Sequence, residues 1–162
     1  MSMTIDDDDA VELPSSSGRD RVRLGLCDRE DFRGLVLAYE SSVYDDRSLD
    51  PVVHVVRTPC VRLRDGSLEE LLELTRRFAD ALSSPEPPAA AATCVLTNSP
   101  RLSMNLRPTG PGAARWRALF SFEFIADRTL SLRGEYSVDT TCLDMFAVSL
   151  GALLSESDAA EW

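Results

Sequence analysis

The stretch Arg115–Ile125, RWRALFSFEFI, decides the fold class that this sequence predicts. Every second residue from position 116 onward belongs to one apolar row, made of Trp116, Ala118, Phe120, Phe122 and Phe124. Such a row is typical of a strand with one face in a protein core. Aromatic rows can also stack on nucleic-acid bases, but the acidic composition of this chain favours the core.

Further strands are predicted on both sides of this stretch. Alternating or apolar runs indicate strands at 21–26, 35–40, 61–64, 94–96, 102–106 and 129–138. In the last of these, Gly134 is predicted to mark a bulge. The run Val52-Val53-His54-Val55-Val56 is dense in β-branched residues, which favours a strand buried on both faces.

Two helices complete the predicted fold. Ser67 and Glu70 match the S-x-x-E capping box, which predicts a helix from Ser67 to about Ser83. Thr141 with Asp144 opens a second helix, which carries a continuous apolar stripe. Strands and helices do not alternate, and no internal repeat is recognised. The predicted fold is therefore α+β, with a mainly antiparallel sheet and two helices packed on one face.

The acidity of the chain is concentrated at its ends. The 162 residues carry 17 basic and 27 acidic side chains, a net charge of -10, and eight of the acids lie in residues 1–18 and 155–162. We therefore predict a disordered acidic tail at 1–18, a single α+β domain at 19–155 and a flexible acidic tail at 156–162.

Composition also limits the partners and the location. An acidic chain is repelled by phosphates, so neither nucleic acid nor an anionic membrane is an expected partner. No apolar run is long enough to span a membrane, and residues 1–10 do not resemble a signal peptide. A cytoplasmic location and a basic protein partner are predicted.

Few residues in the sequence suggest catalysis or metal binding. Cys27, Cys60, Cys94 and Cys142 are too widely spaced for a zinc site and are expected to be free thiols. His54 is the only histidine and is expected to be structural, and its pairing with Cys60 as base and nucleophile lacks an orienting third group. Asp6–Asp9 lack the spacing of a calcium loop, and Thr109–Gly112 lack the motif of a phosphate loop. No catalytic residue, cofactor or metal is expected.

A loop predicted between two strands is the strongest candidate for binding a partner. It contains Tyr44, Asp45, Asp46 and Asp50, which combine an aromatic ring with an acidic cluster. An ordinary solvated loop is the alternative interpretation. The opposite kind of surface is an exposed arginine face, formed by Arg62, Arg64, Arg115, Arg117 and Arg133.

The order of short motifs resembles that of WapI-type immunity proteins and related uncharacterised actinobacterial families. The likeness covers about residues 19–154. It rests on Thr58-Pro59-Cys60 before the first helix, on Ser99–Met104, on the F-x-F-E-F strand Phe120–Phe124, and on the helix start at Thr141 and Asp144. The resemblance implies a small cytoplasmic protein that neutralises a co-encoded toxin by binding it, without catalysis.

The function predicted from the sequence is accordingly that of a non-enzymatic protein-binding module. An immunity protein or inhibitor, acting on a basic partner protein such as a toxin, is the first hypothesis. A small acidic secretion-type chaperone that holds a client, as a dimer, is the alternative. A chaperone is expected to expose apolar surface and self-associate, whereas an immunity protein is expected to bind one partner tightly.

Overall fold

The chain folds as two successive runs, each made of antiparallel strands followed by one helix. The computed structural model describes residues 10–28, 31–43, 52–83, 91–109, 117–127 and 130–160. The first run is β1 (Val11–Pro14), β2 (Asp20–Asp28), β3 (Arg33–Val43), β4 (Val52–Arg57), β5 (Val61–Arg62) and α1 (Ser67–Ser83). The second run is β6 (Ala92–Asn98), β7 (Arg101–Pro108), β8 (Arg117–Ile125), β9 (Ser131–Asp139) and α2 (Thr140–Ala160).

The strands form two antiparallel sheets, which confirms the predicted α+β class. The first sheet has the order β1-β2-β3-β4, with β5 also pairing with β3, and the second has the order β6-β7-β8-β9. One sheet without a repeat is predicted from the sequence, whereas the structure has two sheets in two runs of similar layout. A layout of strands and a helix can recur without similar residues at matching positions, so the sequence shows no repeat.

The two helices join the halves of the fold. Helix α1 packs against β6 of the second sheet, whereas α2 packs against β1 of the first sheet and against α1. Backbone hydrogen bonds also link the sheets near their edges, from Ser16 to Ser137 and from Arg64 to Leu96. Buried residues of both sheets and both helices form one core cluster. The domain therefore has a single core that both halves line.

Strand β1 corrects the predicted boundary of the N-terminal tail. Residues 11–14 were expected in the disordered segment 1–18, but they pair with β2, and Val11 and Leu13 are buried. Their alternation of buried and partly buried positions is that of a strand with one face in the core. This strand was not predicted because the acidic residues around Val11 and Leu13 dominate the composition of the segment. Residues 1–9 lie outside the described part of the chain.

The helix ends differ in detail from the prediction. In α1 the Ser67 hydroxyl is buried without a hydrogen-bond partner, and the Glu70 carboxylate pairs with Arg64, so the predicted capping box is absent. In α2 the cap is Asp139, whose carboxylate accepts a hydrogen bond from the Cys142 amide at 2.9 Å. Helix α2 also extends to residue 160, into the segment predicted as a flexible tail.

Strand β8 packs as its alternation predicts. Ala118, Phe120, Phe122 and Phe124 are buried, and Phe120 lies 5.1 Å from Tyr136 of β9 between ring centroids. Trp116 lies outside the described residues. Gly134 does not mark a bulge, since β8 and β9 pair without a register shift, and the irregularity lies instead between Val95 and Thr97 of β6. Gly134 is required because a Cβ atom there would lie 2.2 Å from the Phe122 ring.

Gly134→Ala is therefore expected to destabilise the domain by about 2 kcal/mol, because the added methyl group overpacks the core beside Phe122. Urea unfolding followed by circular dichroism measures the change. Gly151→Ala is the matched control, since the nearest atom to its Cβ would be 3.5 Å away. Equal stability of the two variants would contradict the proposed role of Gly134.

Tyr136 of the second sheet forms hydrogen bonds with the first sheet. Its hydroxyl donates a hydrogen bond to the Leu13 carbonyl and accepts one from the Val22 amide at 3.1 Å. Leu13 and Val22 are direct partners in the pairing of β1 with β2. Burial raises the pKa of the Tyr136 hydroxyl, so the group stays protonated and can donate this bond over the whole neutral range.

Candidate functional site

Strand β4 forms an open edge of the first sheet. On one side it pairs with β3, from Val43 opposite Val52 to Ala38 opposite Arg57. Among the described strands, none pairs with its other side. The backbone groups on that side are a template for pairing with another extended chain.

The prediction that this strand is buried on both faces is wrong. All six residues of β4 are exposed, and the four valines expose between 42 and 53% of their surface. Val43, on the neighbouring β3, is 48% exposed. The core lies over β1, β2, β3 and β5 and does not reach β4. β-Branched residues favour extended backbone whether or not a second layer covers them, and this is why their density misled the prediction.

The two faces of β4 are defined by the register with β3. Val52, His54 and Val56 point to the same side as Tyr39, Ser41 and Val43, while Val53, Val55 and Arg57 point to the other. Between Val52 and Val56 no residue carries a fixed charge. Natural edge strands are usually protected by charges or by a cover, so this stretch is an unusual apolar edge.

A break in the strand ends the apolar edge. The Thr58 amide donates to the Leu37 carbonyl at 2.9 Å, and the Thr58 hydroxyl accepts a hydrogen bond from the Leu37 amide at 3.0 Å. Pairing with β3 resumes at Val61, beyond Pro59. Pro51 and Pro59 thus bracket the valine run, and because proline is confined to strand ends and edges, it is the sequence signal for an edge strand here.

A disulfide joins Cys27 to Cys60, which corrects the expectation that all four cysteines are free. Their Cα atoms are 6.4 Å apart, since Cys60 lies beside the β2–β3 hairpin in space although 33 residues separate the pair in sequence. Gly34, opposite Cys27 on β3, leaves room for the sulfur atoms, because a Cβ there would lie 2.3 Å from the Cys60 sulfur. Cys60 is therefore not a free nucleophile for His54.

The other two cysteines are buried thiols. Burial raises the pKa of Cys94 to about 11, and it raises the pKa of Cys142 as well. Both side chains are therefore protonated near neutral pH and unreactive as nucleophiles. Among the described residues, no group of three or more His, Cys, Asp or Glu side chains could hold a metal ion.

The predicted partner-binding residues Tyr44, Asp45, Asp46 and Asp50 lie outside the described residues, as do Asp6–Asp9 and most of the predicted loop after Thr109. In sequence, these four predicted residues fall between Val43 and Val52, both of which are exposed. The acidic segment is thus continuous in the chain with the apolar edge.

The arginines proposed as an exposed face are not brought together on one sheet. Arg62 belongs to β5 of the first sheet, while Arg117 and Arg133 belong to the second. Arg64 pairs with Glu70, and Arg133 pairs with Glu123 at 2.7 Å. Arg115 lies outside the described residues.

Two other surface features are weaker candidates for a docking site than the β4 edge. The outer face of the second sheet has a shallow polar concavity of about 590 Å³, in which Arg133 pairs with Glu123 and Asn105 donates to Thr93 at 2.6 Å. The polar side chains of this concavity thus form ion pairs and hydrogen bonds mainly with one another. Helix α2 exposes Met145 and Val148, at 58 and 72%. This helix face is apolar but offers no free backbone groups, so β4 is the better docking element.

No protein-family model matches the chain, and no curated protein matches its sequence significantly. Within the described residues, neither helix is long and apolar enough to cross a membrane.

Proposed function

We propose that this chain is a non-enzymatic protein-binding module that uses the β3–β4 hairpin. The observation that carries the proposal is the exposed edge strand β4 with its four uncovered valines. Exposed apolar surface of this kind is typical of interaction sites. The buried thiols and the disulfide supply no activated nucleophile in the described part of the chain.

The partner that best fits this hairpin is a basic protein, and the proposed role is that of an immunity protein or inhibitor. The segment from Tyr44 to Pro51 contains three aspartates and one arginine, and it directly precedes the apolar edge. Apolar contacts supply affinity in such interfaces, whereas surrounding charges steer the approach of a partner of opposite sign. The order of short motifs in the sequence, which resembles that of WapI-type immunity proteins, favours the same role.

Affinity purification from the native host tests this proposal. A tagged chain is expected to recover one dominant basic protein at moderate salt, and the purified pair is expected to show reduced toxicity or activity of that protein. Recovery of no partner, or of a partner whose activity is unchanged by binding, would contradict the inhibitor role.

Replacing Asp45, Asp46 and Asp50 together by asparagine is expected to slow association with that partner about tenfold at low salt and to flatten its salt dependence. Surface plasmon resonance at several salt concentrations measures both effects. The matched control replaces Glu69, Glu73 and Asp80 of α1, which removes the same charge from another exposed surface. An equal loss of rate in both variants would show that only net charge matters and would remove the loop from the interface.

A secretion-type chaperone is the second candidate function, and one observation favours it. Besides β4, the α2 residues Met145 and Val148 are exposed, so apolar surface is available on two elements. A chaperone is expected to hold an incompletely folded client without altering an activity, whereas an inhibitor binds a folded and active partner. The activity measurement on the purified pair therefore separates the two functions.

The cytoplasmic location remains a prediction from the sequence. The Cys27–Cys60 disulfide is of a kind that persists in oxidising compartments and is rare in the cytosol, so this bond favours a location outside the cytoplasm.

A further inference from the structure

The residues exposed on β4 read the same in both directions. Val52-Val53-His54-Val55-Val56 is a palindrome centred on His54, and it lies on a strand with one unpaired edge among the described strands. An antiparallel pair of identical strands brings residues into contact in a reversed order. A palindrome on an edge is therefore complementary to a second copy of itself.

We infer that two copies of this chain pair their β4 strands antiparallel about a twofold axis that passes beside His54. The axis stands perpendicular to the sheet, so each side chain keeps the face that it has in the single chain. Two first sheets then join edge to edge into one continuous sheet. The pairing uses residues 52–56 and leaves Tyr44, Asp45, Asp46 and Asp50 outside the paired segment.

The register about His54 matches every valine with a valine. Val53 lies opposite Val55 of the second copy, Val52 lies opposite Val56, and the two His54 side chains face each other. The neighbouring register, with Val55 on the axis, places Val53 opposite Arg57 and His54 opposite Val56 instead. Cross-strand pairs of β-branched residues are favourable, so the register centred on His54 is preferred.

The charged side chains near the paired segment belong to neighbouring strands, except for Arg57 at the end of β4. On the His54 face, Ser41 of β3 is its direct partner and Asp20 of β2 follows in the same row, bonded to the Tyr39 hydroxyl at 2.9 Å. On the opposite face, Glu40 lies beside Val55 and pairs with Arg21 and Arg23. Three further aspartates, Asp45, Asp46 and Asp50, precede β4 in sequence.

The size of the edge predicts a weak dimer. The paired edge is a five-residue segment with half-exposed valines, so it offers less than the roughly 800 Å² per copy that a standard stable interface buries. The dimer is therefore expected to dissociate on dilution, with a dissociation constant no tighter than roughly micromolar. Such a dimer forms reversibly, so a protein partner with a higher affinity for the β4 edge can replace the second copy.

Sedimentation velocity over a range of concentrations tests the inference. The unmodified chain is expected to pass from monomer to dimer, and Val53→Lys is expected to weaken the dimer about 100-fold, since each dimer contains two lysines at a desolvated edge. Val148→Lys on α2 is the matched control and is expected to dimerise normally. A chain that is monomeric at every concentration, or a dimer lost only in Val148→Lys, would overturn the inference.

Cysteine cross-linking tests the register. His54→Cys places two thiols directly opposite, with Cα atoms about 5 Å apart, within the range of a disulfide. In Val55→Cys the two thiols are diagonal neighbours about 7–8 Å apart and are expected to cross-link much more slowly. Circular dichroism confirms that both variants fold. Faster cross-linking of Val55→Cys would move the axis and contradict the proposed register.

Discussion

Replacing Cys27 and Cys60 together by serine is expected to lower the free energy of unfolding by about 3 kcal/mol. The disulfide connects residues 33 positions apart, so its loss gives the unfolded chain the conformational freedom of a long loop. Urea unfolding at constant pH measures the change. The bond joins β2 to the segment before β5, so the loop that it closes contains β3 and β4.

Reduction of the unmodified chain provides the control for this prediction. A reducing agent is expected to lower its stability to that of the double serine variant, and to leave the variant itself unchanged. The free thiols Cys94 and Cys142 are buried and present in both proteins, so they cancel in the comparison. A double variant as stable as the oxidised chain would contradict a stabilising role for the bond.

Tyr136→Phe is the second change with a large expected effect. It removes the hydroxyl that bonds both Leu13 and Val22, and it leaves a buried carbonyl and a buried amide without this partner. Each unsatisfied group costs about 1–3 kcal/mol, so a loss of about 3 kcal/mol is expected. Thermal and urea unfolding measure it.

Tyr39→Phe is the matched control for Tyr136→Phe. The Tyr39 hydroxyl also donates a hydrogen bond, to the Asp20 carboxylate at 2.9 Å, but this side chain is only partly buried. Water can replace the lost bond there, so a loss of less than about 1 kcal/mol is expected. Equal effects in the two variants would show that the hydrogen bonds from Tyr136 to the first sheet contribute little to the free energy of unfolding.

The strands and helices that line the core could be predicted from the sequence. In β8 the alternation of Phe120, Phe122 and Phe124 with smaller or polar residues has one physical cause, since alternate side chains of a strand point to opposite faces. The helical spacing of apolar residues likewise located α1 and α2, although their caps differ from the predicted ones. Local patterns of this kind predict which face of an element is apolar.

The features that depend on distant contacts could not be predicted. The valines of β4 have the same local pattern as a buried strand, but the buried core of the folded domain does not extend to them. The bond between Cys27 and Cys60 and the hydrogen bond from Tyr136 to β1 likewise join residues far apart in sequence. The division of the strands into two sheets also depends on such distant contacts. A single sequence contains no measure of these distances.

The candidate site shows the same limit. The acidic segment from Tyr44 to Asp50 was predicted as a binding site from its composition. The structure shows that the strand directly after it is apolar and exposed. Pro51 and Pro59 are the local signs of an edge that the sequence offers. The palindrome around His54 becomes meaningful only once the strand is known to lie at an edge.

Each helix packs against the strands of the other half of the fold, and this arrangement determines how the domain unfolds. Because α1 covers β6 and α2 covers β1, each half exposes an apolar sheet face when the other half is absent. Neither run of strands and helix is therefore an autonomous folding unit, although each has the layout of one. The domain resembles an obligate pair of subunits held on one chain, and loss of structure in either half removes the core of both in a single cooperative transition.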